Sequence, residues 1–312
     1  MGKARLYALA ATILFSTGGA AIKTGAFTGM QVSSVRAGIA ALALLLVVRG
    51  RVDWSWAAWG VGAVYASTLT LFVNATKLTT AANAIFLQST APLYIVLLGP
   101  FLLKERLRRR DLAYMLAVGS GVALCFVALP AATATAPNPA LGNLLAIICS
   151  VSWAFTLMLL RWAERDRAGT GAQSAPSKHW RQPAKGSGSD HEPLAGLSAV
   201  IAGNILACLI GLPFALPLPA APPVEWATLA YLGIIQIGLA YVFLTRAMAH
   251  LPALEVSLIL LLEPVLNPMW TWLVRGEEPG AWVIVGGVII VAATAIKAVY
   301  DARAPVESTK TV

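Results

Sequence analysis

The chain has 312 residues, of which 58% are hydrophobic and only 12% charged, with a mean hydropathy of +0.74 and a net charge of +9. Soluble domains are roughly 45–50% apolar and about 25% charged, so this composition excludes an ordinary soluble protein and indicates one that lies in a membrane. The three cysteines show no CxxC spacing and the histidines do not cluster, which argues against a disulfide framework or a metal site.

Apolar runs long enough to cross a bilayer recur along the whole chain. A membrane helix needs about 20 apolar residues. A bilayer interior offers the backbone no hydrogen-bond partners, so each run is predicted to be a helix, and the alternating strands of a β-barrel are missing. The predicted fold class is therefore an all-α integral membrane protein. The ten predicted spans, numbered 1 to 10 below, are 5–23, 33–49, 55–76, 80–103, 112–129, 141–162, 194–216, 225–246, 253–274 and 280–299.

Span 1 follows Lys3 and Arg5, and it could also be interpreted as a signal peptide. Cleavage would leave nine spans and disturb the alternation of loop charge described below, so we expect an uncleaved first helix. Ser16 belongs to a short polar stretch, STGG, within this span. This stretch is interpreted either as part of a substrate cavity or as small residues that let helices pack closely.

Three basic residues lie near predicted span ends. Lys23 ends span 1, Arg36 lies in the first turn of span 2, and Lys77 comes just before span 4. Long basic side chains near a membrane boundary usually extend toward water, which is the expectation for all three. Lys23 and Lys77 could instead guide a substrate carboxylate.

Span 4 and its approach are rich in amide side chains. Gln88 lies deepest and is predicted to exchange hydrogen bonds with a substrate, while Asn74, Asn83 and Phe86 are predicted to line the same cavity. Pro92 has no N–H, so the carbonyl four residues earlier loses its helical partner. Such a carbonyl is tolerated where it lines a wet cavity, and Pro92 is predicted to act as a hinge.

Spans 6 and 8 contribute further candidates for the cavity. These are Trp153 in span 6 and Gln236 and Tyr241 in span 8. Residues 164–193, between spans 6 and 7, are rich in Gly, Ser, Pro and charge. Such a segment cannot bury enough apolar surface to order itself, so it is predicted to be a flexible cytoplasmic linker.

Span 9 carries the most unusual residues for a membrane helix. Glu263 lies near its centre, where an ionised acidic side chain costs roughly 2.5–3.5 kcal/mol. Asn267 follows one turn later on the same face and Trp270 continues that face. This face is predicted to be a cavity wall, with Glu263 coupling transport to protons or recognising a cation; the alternative is a protonated Glu263 bonded to a neighbouring helix. Pro264 and Pro268 are predicted hinges.

A shift of 172 positions superimposes span 4 on span 9 without a gap. Pro92 then falls on Pro264, and Glu105 falls on Glu277 just beyond each span, where a structural role such as ion pairing is expected. This shift makes the repeat five helices long. Because five is odd, the second copy must be inverted relative to the first, an architecture typical of secondary transporters. The predicted copies are residues 1–130 and 131–312, the second containing the linker.

The basic residues sort by side of the membrane. If the N-terminus is cytoplasmic, 19 of the 23 lysines and arginines fall on the cytoplasmic side. The positive-inside rule then places both termini in the cytoplasm, and we expect a bacterial inner membrane. This distribution accounts for the net charge without a nucleic-acid partner.

Three stretches resemble a known family. They are LFSTGGAAIK in span 1, NATKLTTAANAIFLQSTAPLY through span 4 and ILLLEPVLNPMW in span 9. With the ten spans and the two five-helix copies, they resemble the EamA-type branch of the drug/metabolite transporter superfamily, in particular its ten-span metabolite and amino acid exporters. The likeness covers nearly the whole chain except 164–193. It implies export of amino acids, other metabolites or cationic drugs.

The sequence thus predicts a secondary-active exporter of small amphipathic metabolites, with amino acids as the leading class, that works by alternating access around a central cavity. A phosphate-binding loop for ATP and recognisable catalytic motifs are missing, and no cofactor or metal is expected. The expected partners are a small-molecule substrate, the lipid bilayer and a coupling proton, in a monomer or weak dimer. The alternatives are an exporter of cationic drugs or quaternary amines, an intramembrane enzyme, and a membrane scaffold without transport activity.

Overall fold

The computed structural model of the chain describes residues 2–49, 51–102, 109–127, 132–170, 194–248, 250–251 and 253–303. Helices account for most of them. Span 1 comprises Gly2–Ser16 and Gly18–Ile22, span 2 Gly29–Val47, span 3 Trp56–Leu78, span 4 Ala81–Gln88 and Ala91–Leu102, span 5 Arg109–Val127, span 6 Pro139–Thr170, span 7 Leu194–Ala215, span 8 Pro223–Ala230, a π-helix Tyr231–Leu239 and Ala240–Met248, span 9 Ala253–Leu260 and Glu263–Arg275, and span 10 Ala281–Arg303.

The helices confirm the predicted fold class. Within the described ranges, nine spans are long and apolar enough to cross a membrane. Span 5 is the remaining one, and its first turn carries Arg109, Arg110 and Asp111. Span 5 packs along span 10 as a tenth helix of the bundle.

The linker prediction is wrong at its start. The helix of span 6 continues to Thr170, so residues 164–170 are helical. Residues 171–193 lie outside the described part of the chain, as does Glu105.

Spans 4 and 9 are interrupted at equivalent positions. The helix of span 4 stops at Gln88 and resumes at Ala91, and that of span 9 stops at Leu260 and resumes at Glu263. Both pairs of positions differ by the 172 residues that relate the two sequences. This shared break is consistent with the predicted repeat of two five-helix units.

Each interruption uses the same hydrogen bond. The Thr90 N–H donates to the Leu87 carbonyl (3.2 Å) and the Leu262 N–H donates to the Ile259 carbonyl (3.1 Å), both three residues back instead of four. Pro92 and Pro264 therefore lie in the first turn of the second helix, where a missing N–H costs nothing. Pro268 lies inside the helix that follows.

Spans 1 and 8 also depart from regular helices. Span 1 is interrupted at Thr17, and the middle of span 8 is a π-helix. Interrupted membrane helices and π-turns are both frequent at binding sites. The four irregular spans 1, 4, 8 and 9 therefore define where a site would lie.

The two ends of the bundle are fixed by contacts between distant residues. At the end where the chain begins, Arg5 pairs with Glu255 at the start of span 9. At the opposite end, Lys23 after span 1 pairs with Glu277 after span 9. We call these the amino-terminal end and the opposite end.

Spans 2, 3, 6 and 7 pack closely together. A Cβ at Gly62 of span 3 would lie 2.8 Å from the backbone nitrogen of Gly203 in span 7, so the two backbones touch. The apolar core beside this contact includes Ala37, Tyr65 and Ile237. This rigid packing supports the side chains of spans 2, 3 and 8 that face the interior.

Candidate functional site

Spans 1, 8 and 9 meet at the interruption of span 1. The Trp270 indole N–H donates to the Ser16 hydroxyl (3.0 Å), and the Gln236 amide donates to the Phe15 carbonyl (3.3 Å). Asn267 lies against Gly19. The structure therefore brings together four predicted site residues, Ser16, Gln236, Asn267 and Trp270, which we call the junction.

Two glycines in span 1 make the junction possible. A Cβ at Gly18 would lie 2.8 Å from the Gln236 amide nitrogen, and a Cβ at Gly19 would overlap the Asn267 carboxamide. The small residues of span 1 therefore allow close packing. They leave room for the polar side chains of Gln236 and Asn267, which belong to the other copy. This contact is the close packing expected for the STGG stretch, and its part in a substrate cavity stays a prediction.

The junction contains polar atoms without partners. Asn267 is 1% exposed and Gln236 is 6% exposed. Among the described residues, neither the oxygen nor the nitrogen of the Asn267 carboxamide has a hydrogen-bond partner, and the same holds for the Gln236 oxygen. Buried polar atoms are nearly always bonded, so such atoms indicate a place for water or a ligand.

A cleft lies beside the junction. It has a volume of about 410 Å³ and runs along spans 1, 8 and 9. Thr17, Tyr231 and Trp270 are among its lining residues, and the Thr17 and Tyr231 hydroxyls are 2.8 Å apart.

An aromatic cluster adjoins the junction through Phe15. The rings of Phe15 and Tyr241 meet edge to face at 5.2 Å, and Tyr65 lies 6.0 Å from Tyr241 and 6.1 Å from Trp153. The Tyr65 hydroxyl donates to the Tyr241 hydroxyl at 2.7 Å. Trp153 and Tyr241 were predicted from sequence, whereas Phe15 and Tyr65 were missed.

The prediction that Arg36 extends to the membrane boundary is wrong. Arg36 is 2% exposed and lies close enough to Tyr65, Tyr241 and Cys149 to interact with them electrostatically. Its Nε atom has no partner among the described residues.

The helix start explains this error. Span 2 begins at Gly29, earlier than predicted, because Thr28 and Gln31 form a capping box. Arg36 therefore lies two turns inside the membrane helix. The pattern of threonine followed by glutamine three residues later was the sequence signal that could have placed it.

Glu263 lies at mid-depth in the same region. It is ten residues from the start of span 9 and twelve from its end, which is about 15 Å and 18 Å of helix. Its side chain is partly buried and acts electrostatically on Tyr241. Within the described residues no cation lies within 4 Å of its carboxylate. Gln88 lies near Cys149, whose thiol donates to the Thr68 carbonyl (3.4 Å).

Three predicted site residues lie elsewhere. The Asn74 amide donates to the Thr70 carbonyl (2.8 Å) beside span 2, and Asn83 lies near Thr79 at the opposite end. Phe86 packs in a hydrophobic core between spans 5 and 10 and touches Gly287. These residues were expected to share a cavity, but the packing of the helix Ala81–Gln88 against spans 5 and 10 places Phe86 in that core instead.

The prediction that Lys23 extends to water is also wrong. Its ammonium group is 2.8 Å from the Glu277 carboxylate, and the two side chains are 1% and 6% exposed. It also donates to the carbonyls of Thr79 (2.7 Å) and Thr135. The ion pair expected of Glu277 is thus made with Lys23, whereas the neighbouring Arg275 donates to the Lys23 carbonyl (2.8 Å).

The other Glu277 oxygen accepts the Ala81 N–H at the start of span 4 (2.6 Å). Spans 1, 4 and 9 and the segment before span 6 are thus joined at the opposite end. We call this set, Lys23, Thr79, Ala81, Thr135, Arg275 and Glu277, the end network.

Comparison with known proteins agrees with this architecture. The model of the EamA-like transporter family matches residues 2–127 and 187–298. A 69-residue stretch is 42% identical to the pseudopaline exporter CntI of two Pseudomonas aeruginosa strains, covering 22% of this chain and 24% of that protein. A crystal structure of another protein matches over 98% of both chains, with a TM-score of 0.60 and 23% identity, which shows a common fold alone. The family match covers spans 1–5 and 7–10, more than half of the chain, and the chain therefore belongs to the EamA-like transporter family of multi-pass membrane proteins.

Proposed function

We propose that this protein exports small amphipathic metabolites, with amino acids as the leading class, by alternating access around a site between the two repeats. The observation that carries the proposal is the set of buried, unpartnered amide atoms of Gln236 and Asn267. Leaving such atoms unbonded is costly, and it is more so within a membrane. A substrate that bonds to them in the interior recovers this cost.

The proposed site lies where interrupted helices of the two repeats meet. Span 1 belongs to the first repeat and spans 8 and 9 to the second. In transporters built from inverted repeats, the substrate site lies near the midplane at this kind of interface. Asn74, Asn83 and Phe86 are left out of the proposed site, and Gln88, Trp153 and Tyr241 are kept as lining residues beside the junction.

The end network supports alternating access. It closes the opposite end by joining spans 1, 4 and 9 through buried polar contacts. The Arg5–Glu255 pair at the amino-terminal end is exposed, with side-chain exposures of 60% and 31%. We propose that the end network opens and closes in the transport cycle, with Pro92, Pro264 and Pro268 beside the moving segments.

Glu263 is proposed as the coupling group. Its carboxylate has no ion-pair partner in the described structure and lies at mid-depth, so it can take up and release a proton as access alternates. The same lack of a partner favours a second candidate function, export of cationic drugs or quaternary amines, in which Glu263 binds the cation directly.

We further propose a bacterial inner-membrane location with both termini in the cytoplasm, because 19 of 23 basic residues then face inside. The proposed repeat units are residues 1–130 and 131–312. A monomer is sufficient, since one chain supplies all walls of the proposed site.

Counterflow in proteoliposomes tests the function. Purified protein is loaded with unlabelled solute, and uptake of the labelled form is followed for amino acids, nucleosides and quaternary amines. We expect counterflow of at least one amino acid, and we expect Asn267→Leu to reduce it about tenfold or more while leaving the melting temperature unchanged or higher. Quaternary amine counterflow alone would support the second function, and no counterflow of any solute would refute the proposal.

A further inference from the structure

Arg36 is a buried cation without a counterion. It is 2% exposed, its Nε atom has no partner, and no acidic residue of the described structure lies within 4 Å of the guanidinium group. A structural arginine inside a protein normally bonds to a carboxylate or to several carbonyls. This absence of partners makes Arg36 a candidate binding group.

The backbone of Arg36 is held rigidly. A Cβ at Gly233 in the π-helix would lie 2.8 Å from the Arg36 carbonyl oxygen, so the two helices touch at this point. The neighbouring residues Ala37 and Ala40 are fully buried in the core with Tyr65. A guanidinium group on such a support is preorganised, which reduces the entropy lost on binding.

Tyr241 supplies a hydroxyl donor that interacts electrostatically with the guanidinium group. The Tyr65 hydroxyl donates to the Tyr241 hydroxyl at 2.7 Å, which leaves the Tyr241 proton available to a further acceptor. Both tyrosines interact electrostatically with Arg36. A guanidinium fork and a phenol together match a carboxylate, which accepts several hydrogen bonds and binds arginine in a bidentate manner.

Glu263 supplies an acidic group that also interacts electrostatically with Tyr241. Arg36 acts on the same tyrosine, yet Glu263 and Arg36 form no ion pair with each other. The interior thus presents a cationic group and an acidic group, neither of which has an ion-pair partner among the described residues. This arrangement complements a zwitterion.

We propose that Arg36 binds the substrate carboxylate, so that the substrates are amino carboxylates whose ammonium group is directed to Glu263, and simple amines are excluded. The inference rests on the proposed export function and defines its substrate class.

Matched ligand pairs test the inference on the full-length protein in nanodiscs. The probes are L-leucine, L-phenylalanine and L-arginine, each against the amine that lacks its carboxylate: isoamylamine, phenethylamine and agmatine. Binding is measured by thermal shift and transport by counterflow. We expect at least one amino acid to bind about 30-fold tighter than its amine. This factor is at the lower end of the loss of affinity that follows when one member of a buried charge pair is removed.

Variants then assign the preference to Arg36. Arg36→Gln should bind that amino acid and its amine equally weakly, Arg36→Lys should retain part of the preference, and Arg51→Gln, at an exposed arginine, should behave as the wild type. Arg36→Met should melt no lower than the wild type without ligand, because it removes an unpaired buried charge. A structural arginine would lower that melting temperature.

The outcomes separate the two proposals. Wild-type protein that binds or transports the amines as well as the amino acids would overturn carboxylate recognition and leave export intact. Retention of the preference in Arg36→Gln would overturn the role of Arg36 alone. Failure of all six probes in binding and counterflow would count against both amino acid export and this inference.

Discussion

Lys23 and Glu277 form an ion pair of 2.8 Å between the ends of spans 1 and 9, with side-chain exposures of 1% and 6%. The pair joins the two repeats at one end of the bundle. A charged pair that is withdrawn from water in this way depends on both members, because either charge alone would be buried without compensation.

Removing one member should therefore be costly. Lys23→Met and Glu277→Gln are each expected to destabilise the protein by about 3–5 kcal/mol, and the double variant by less than the sum. Unfolding in mixed micelles measures this double-mutant cycle. Arg5→Gln with Glu255→Gln is the exposed counterpart and should cost about 0–1 kcal/mol. Equal costs for the two cycles would contradict the buried character of the Lys23–Glu277 pair.

Two glycines of span 3 should respond in opposite ways to alanine. Gly62→Ala places a methyl group 2.8 Å from the Gly203 nitrogen and should destabilise the protein by about 1–3 kcal/mol. A Cβ at Gly60 would have no atom within 4 Å, so Gly60→Ala should be neutral or stabilise by about 0.5–1 kcal/mol. Melting temperatures of the two variants suffice, and a stable Gly62→Ala protein would show that spans 3 and 7 are not in backbone contact.

Glu263→Gln should abolish proton coupling. A glutamine cannot exchange a proton, so counterflow should persist while net uptake no longer responds to a pH gradient across the liposome. Glu255→Gln lies eight residues earlier on the same span with its side chain 31% exposed, and it should retain the wild-type response. An unchanged pH-gradient response in Glu263→Gln would remove this residue as the coupling group.

Phe86→Ala should affect stability and not substrate choice. The ring is 7% exposed and packs with Tyr114, Val118 and Val283, so its removal should cost about 3–5 kcal/mol. The KM for a transported solute should stay within about twofold of the wild type, because the ring belongs to the core between spans 5 and 10. Kinetics on the folded fraction test this, and a large rise in KM would restore Phe86 to the site.

Particular residues show how much of the candidate site could be predicted from the sequence. Ser16, Gln236, Asn267 and Trp270 were predicted because polar or aromatic residues are conspicuous in apolar spans, and the structure brings them together. Tyr65 was missed, since a tyrosine in span 3 has no pattern that distinguishes it from packing. Tyr65 meets Tyr241 because side chains of spans 3 and 8 pack against each other, and the Tyr65 hydroxyl donates to the Tyr241 hydroxyl.

The sequence by itself determined the membrane class, the helical spans and the repeat at 172 residues. Hydrophobicity and segment length are local properties, and they decide whether a segment crosses a bilayer as a helix. Only the tertiary structure decided that Lys23 lies inside, that Glu277 pairs with Lys23 and that Phe86 faces span 10. These facts depend on which faces of distant helices meet. No local pattern specifies that choice, since the fate of each side chain is set by partners hundreds of residues away.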